Sequence, residues 1–166
     1  MGKVLKGFGN GSPGAVSRSA DRIVTALKNA GTDEIPFGAP VFLAPGGAAG
    51  FSTESPQDFE TFLGFAVRVA DKTPDDYPRG QDNDPQAGAW QPGDVMEVLV
   101  RGGIIVPMAT GGTTGGKVYI RKSDGELTSS AGTAGSTVAL ENVRIRNPRN
   151  LYGATCEVIV NERNLI

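Results

Sequence analysis

Side chains able to make or break bonds are scarce in this sequence. None of its 166 residues is a histidine, which removes the commonest general base and the commonest metal ligand together. Ser-His-Asp and Cys-His sites are therefore excluded. Cys156 is the single cysteine. It has no disulfide partner within the chain, and without a basic neighbour to make it a thiolate it reads as a small buried apolar group. Carboxylates gather at Asp75, Asp76, Asp82 and Asp84, with Glu97 further on. Two of them could form the acid–base pair of a hydrolase, but carboxylates on a flexible loop make a poorly preorganised pair. Asp82-Asn83-Asp84 begins like a calcium loop. The glycine and terminal glutamate that would complete such a loop are missing at the needed spacing. Gly7, Gly9 and Gly11 alternate, yet no strand leads into them and no Gly-Lys-Ser/Thr follows, as a phosphate-cradling loop requires. The expectation is a protein with no catalytic residue, no cofactor and no metal.

The elements that would have to position any site point to an all-β chain. Glycine at 24 residues and proline at 11 are both high, without a collagen-like period, which suits many short strands joined by turns. The formal net charge of −2 gives no general attraction to nucleic acid or to an anionic membrane. No apolar run approaches the ~20 residues of a membrane span, and the N-terminus lacks the apolar core of a signal peptide. One domain is expected, large enough to bury a core without disulfides or metal.

The plainest strand signal is Trp90 to Pro107. Two Val- and Ile-rich runs flank Arg101-Gly102-Gly103, and Pro92-Gly93-Asp94 is turn chemistry ahead of them. β-Branched residues fit a pleated strand, and the glycines can take the positive φ of a reversal, so this segment predicts a β-hairpin. Strands are also expected at the end of 35–43, over 62–69 with Leu63, Phe65, Val67 and Val69 on one face, and over 117–122, 138–145 and 154–161. Gly64 and Ala66 suit close approach by another backbone. Asp124-Gly125 signals a second hairpin. Residues 19–30 read as a short helix capped by Ser19 and ended by Gly31, with Ile23, Leu27 and Ala30 on one face, although Ile-Val-Thr would also suit a strand. The division expected is an N-terminal arm with that helix over 1–33 and a small β-barrel with hairpins over 34–166. A long polar loop over 71–92 interrupts the barrel; loops of this length are usually functional or disordered.

Three blocks in order resemble the structural cement, or capsid decoration, proteins of tailed bacteriophages: Ile35-Pro36-Phe37-Gly38-Ala39-Pro40-Val41, Phe62-Leu63-Gly64-Phe65-Ala66-Val67-Arg68, and Pro92-Gly93-Asp94 leading into Val98-Leu99-Val100-Arg101-Gly102-Gly103. Gly116-Lys117-Val118-Tyr119 is similar to the family's next strand entry. The resemblance implies a small β-barrel on the outer surface of the phage head, made in the bacterial cytoplasm, bound to the major capsid protein and self-associated, with a trimer expected by analogy. It carries no catalytic motif. Apolar residues stranded in glycine-rich or polar stretches are the contact candidates: Val4, Leu5, Phe8 and Val16 in the arm, Tyr77 and Trp90 in the long loop. The aromatics of that loop also suit lids over the core. Two other readings fit an all-β chain. One is a tail or fibre-base module; the other is a carbohydrate-binding module stacking sugars on Trp90, Tyr77 and Phe37.

Overall fold

A computed structural model describes residues 10–54, 58–70, 88–149 and 154–162. β-Branched and aromatic residues recur through these segments, and strands follow: β1 Val16–Lys28, β2 Ile35–Pro36, β3 Pro40–Ala44, β4 Gly47–Ala49, β5 Phe62–Ala66, β6 Ala89–Trp90, β7 Val95–Pro107, β8 Lys117–Arg121, β9 Leu127–Thr128, β10 Thr137–Asn147 and β11 Thr155–Val160. Among the described residues the helical content is one 3₁₀ turn, Phe59–Thr61, capped by the Asp58 carboxylate, which accepts from the Glu60 N–H at 3.0 Å. The main sheet is antiparallel in the order β4-β3-β5-β7-β11-β10-β8-β9, with β1 also on β7. β2 and β6 pair separately. The sheet curls into a half-barrel, and Asn29, just past β1, bridges Ala48 of β4.

β7 is the organising strand, as its composition suggested, but it is not a hairpin. It runs from Val95 to Pro107 without a break. β1 lines it from Val95 to Ile104, β5 meets it at Val98 and Leu99, and β11 pairs from Gly102 to Pro107. With partners on both edges, the ladder carries the chain through Gly102 and Gly103. The glycines serve a bend instead. Gly102 has φ +116°, and a Cβ there would sit 3.1 Å from the Arg22 Cα and the Asp21 carbonyl oxygen. β1 bulges opposite this point, its register slipping between Arg18 and Ile23.

The helix expected over 19–30 is likewise corrected: these residues lie largely in β1. Ile23 and Leu27 do share a face, against the second of two cores, while Val24 packs on the first. A spacing of four is even, so it satisfies a strand's period as well as a helix's. The β-branched Ile23, Val24 and Thr25, with a long partner in β7, decide for the strand.

Two apolar cores lie on opposite faces of β7. The first takes Leu99, Ile104 and Val106 from β7, with Val118 and Ile120 of β8 and Cys156, Val158 and Val160 of β11. The alternation expected for β8 and β11 holds. The second takes Met96, Val98 and Val100, closed by Ile35, Phe37 and Trp90. In β5 the expected alternation fails. Val41 pairs Gly64 while Phe42 pairs Phe62, so Leu63 is an extra residue. This bulge sends Phe62 and Phe65 to the first core and Leu63 to the second. The strand ends at Ala66 rather than Val69. The small Gly64 does admit a neighbouring backbone: a Cβ there would overlap the Leu99 carbonyl of β7.

Candidate functional site

Among the described residues the titratable side chains do not assemble a reaction centre. Cys156 is fully buried and its Sγ lies 3.6 Å from the Gly111 carbonyl oxygen. Burial pushes its thiol up, outweighing the opposing influence of Arg149, so it is an inert core group. At the β8–β9 turn, Arg121 donates to both oxygens of Asp124, at 3.0 and 2.9 Å, and also pairs Glu126. Those bonds hold the Asp124 carboxyl below its usual range and raise the Arg121 guanidinium. The pair closes an exposed turn. Among the described residues Glu157 is the one buried carboxylate, 5% exposed. It accepts from Ser17 Oγ at 2.7 Å and from Asn147 Nδ2, with the Arg18 Nε at 3.7 Å. It thereby ties β1, β10 and β11 together. Among the described residues no group of three or more acidic or sulfur ligands could hold a metal.

The cavities agree. An open groove of about 460 Å³ beside β3 and β4 is lined by Leu43, Pro45, Phe51, Asp33, Asp58 and Thr61. A smaller one, about 250 Å³, lies between Pro36, Phe37, Pro40, Pro107 and Leu127. Neither brings a nucleophile to a base.

What the fold does build is an anchor for its N-terminal segment. The Asn10 side-chain amide donates to the carbonyls of Pro148 and Thr155, at 3.0 and 2.9 Å. Thr155 Oγ1 donates to the Gly11 carbonyl at 3.2 Å. Gly14 N–H donates to the Ile105 carbonyl at 2.8 Å, and its own carbonyl accepts from Arg68 N–H at 2.8 Å. Gly14 needs its positive φ and lack of side chain here: a Cβ would press on Phe37 and the Arg68 nitrogen at 2.8 and 2.9 Å. Residues 10–15 are therefore strapped over β7 and β11.

The contact candidates divide accordingly. Val16 opens β1, half-buried against the first core. Trp90 is 4% exposed, donates its indole N–H to the Val67 carbonyl at 3.0 Å, and meets Phe37 edge-on at 6.2 Å between ring centroids. It is the lid over the second core and presents almost no surface outward. Phe37, 2% exposed, is equally hidden, which removes both as sugar-stacking platforms. Val4, Leu5, Phe8 and Tyr77 lie outside the described residues, as do Asp75, Asp76, Asp82 and Asp84. Glu97 is exposed on β7, pairing Ala26. Sequence reasoning missed the Asn10 anchor, which forms only between distant segments. It also missed buried Glu157, although a glutamate among Thr155, Val158 and Val160 is a visible anomaly.

A family model described as structural cement protein (E217 gp24/Pam3 gp6) matches residues 3–161. No curated protein matches the chain. Among solved structures, a chain of "The capsid of Myoviridae Phage XM1" shares the fold, with a TM-score of 0.71 at 18% identity over 97% of this chain and 96% of that one. The family match spans nearly all of this half-barrel: the chain belongs to the structural cement proteins, which decorate and stabilise phage capsids.

Proposed function

We propose that the protein sits on the outside of the phage head and bridges neighbouring major capsid subunits as a homo-oligomer, a trimer. The family match over residues 3–161 carries this reading. A shared fold with a capsid chain favours the head over the tail. Bracing a shell needs a rigid body and complementary patches, and the two cores on either face of β7 supply the rigidity. Residues 1–9 add contacts through Val4, Leu5 and Phe8, launched from the Asn10 anchor. Apolar area buried there stabilises by ~25 cal/mol per Å², against the entropy of ordering the segment. Linked copies on a repeated lattice multiply a modest affinity per copy.

Purified protein mixed with expanded shells that lack it should co-sediment with them. A chain starting at residue 10 should melt at an unchanged temperature and bind at least about tenfold more weakly, the equivalent of ~1.4 kcal/mol. Wild-type protein that stays in the supernatant contradicts the capsid reading. Full binding by the truncated chain contradicts the role given to Val4, Leu5 and Phe8.

A further inference from the structure

The strap over β7 and β11 contains the one Asn-Gly step of the sequence, Asn10-Gly11. Asparagine is a thermolabile residue. The backbone nitrogen of the residue that follows it attacks the side-chain amide carbon, because the ring so formed has five members. A side chain on that following residue obstructs the attack, and glycine has none. Every other asparagine here is followed by a residue with a side chain.

The fold leaves the nucleophile open and holds the electrophile by its leaving group. Gly11 is exposed, its φ is +123°, and its N–H donates to no acceptor among the described residues. Asn10 Nδ2 donates to the carbonyls of Thr155, Pro148 and, at the longest reach, Asn147, at 2.9, 3.0 and 3.4 Å. Thr155 Oγ1 steadies the step from the other side, donating to the Gly11 carbonyl at 3.2 Å. Asn10 thus sits in a nest of three acceptors, which suits the N–H donors of an amide. An ionised carboxylate only accepts. In the same place it would face three carbonyl oxygens with no proton between them, and a buried acceptor left without a donor is costly.

We propose that Asn10-Gly11 is a self-modifying step that releases the strap irreversibly. When the anchor opens locally, the Gly11 nitrogen gives its proton to solvent and attacks the Asn10 Cγ. The Cγ–Nδ2 bond breaks, ammonia leaves, and a succinimide ring is closed. Water then adds to one of the two ring carbonyls and the ring C–N bond on that side breaks. Aspartate or isoaspartate is left, and one water has replaced one ammonia. The new carboxylate is rejected by the three carbonyls, so an anchor opened in this way does not close again. Each hydrogen bond of the anchor lowers the open fraction and so slows the reaction. The fold, through these bonds, sets how long the strap lasts, whatever surface the protein binds.

The test follows the peptide containing Asn10 by mass spectrometry while the intact protein ages in mildly alkaline buffer. That peptide should gain about 1 Da as NH₂ gives way to OH. The gain should come about tenfold or more faster there than at Asn29, Asn142 and Asn161, whose following residues all carry side chains. Thr155→Val removes the bond to the Gly11 carbonyl and should speed the gain about fivefold, the population change that one lost hydrogen bond brings. Asn10→Asp mimics the product. Gly14 N–H bonds to the Ile105 carbonyl at 2.8 Å and Ile105 N–H to the Ala15 carbonyl at 2.9 Å, so hydrogen exchange at both amides should rise about tenfold in that variant. Aged wild-type protein, separated by its extra negative charge, serves for the same measurement if Asn10→Asp folds poorly. Ageing at Asn10 no faster than at the three reference asparagines overturns the proposal. So does an unchanged rate in Thr155→Val, or exchange at Gly14 and Ile105 that matches the unmodified protein.

Discussion

Gly102 in β7 and Gly125 between β8 and β9 look alike in sequence. Each follows a charged residue and is flanked by strand formers, and each has a positive φ, +116° and +73°. At one the chain bends and goes on; at the other it reverses. The difference lies in their surroundings. At Gly102 the strand is held by β1 on one edge and β11 on the other. At Gly125 the reversal is closed locally. Arg121 N–H donates to the Glu126 carbonyl at 2.9 Å, Gly125 N–H donates to the Arg121 carbonyl at 2.8 Å, and Asp124 Oδ1 accepts from Glu126 N–H at 3.0 Å. A glycine marks where the backbone needs room. Its neighbours decide which way the chain then runs.

Substitution can break or sharpen this contrast. Gly102→Val should be the most damaging, losing about 3 kcal/mol or more, because a β-branched residue is strained at that φ and the obstructing atoms include the β1 backbone. Urea unfolding measures it. Gly125→Ala should lose about 1–2 kcal/mol. Its new Cβ would lie 2.3, 2.5 and 2.7 Å from the Cγ, Cδ1 and Cβ of Phe51, so adding Phe51→Ala, which removes the ring, should relieve part of the strain. A loss from Gly102→Val no larger than that from Gly125→Ala would contradict the tighter backbone constraint assigned to the bend in β7.

Asp124→Asn should have the smallest effect, since the Arg121 pair is exposed and screened. The sign with pH follows from the lowered Asp124 carboxyl. Its contribution is complete above the ordinary carboxylate range and is lost as pH falls through the lowered value. Melting temperatures of wild type and Asp124→Asn should therefore converge as the pH falls below the ordinary carboxylate range. A gap that widens in acid would contradict the assigned pairing.

Much of the fold was legible because alternation is a local property. Val118 and Ile120, or Cys156, Val158 and Val160, each fill one core as their spacing requires. The features that misled depend on partners. β1 was ambiguous because Ile23 and Leu27 stand four apart, a spacing that helix and strand share. The bend in β7 and the bulge at Leu63 are set by which strands pair on each side. For the candidate interface, the missing histidine was plain at once and removed histidine-based chemistry. The anchor at Asn10 joins positions more than a hundred residues apart, and no local pattern announces it. Trp90 was visible as both contact and lid, and only the second core settles it as a lid.

The central claim is that this rigid half-barrel acts by attaching to the outside of a phage head. Electron microscopy of assembled particles, compared with particles lacking the protein, tests it most directly. Extra density on the outer shell, in many symmetric copies and fitted by the curled sheet, is the expected result. Density confined to the tail, or particles identical with and without the protein, would contradict it.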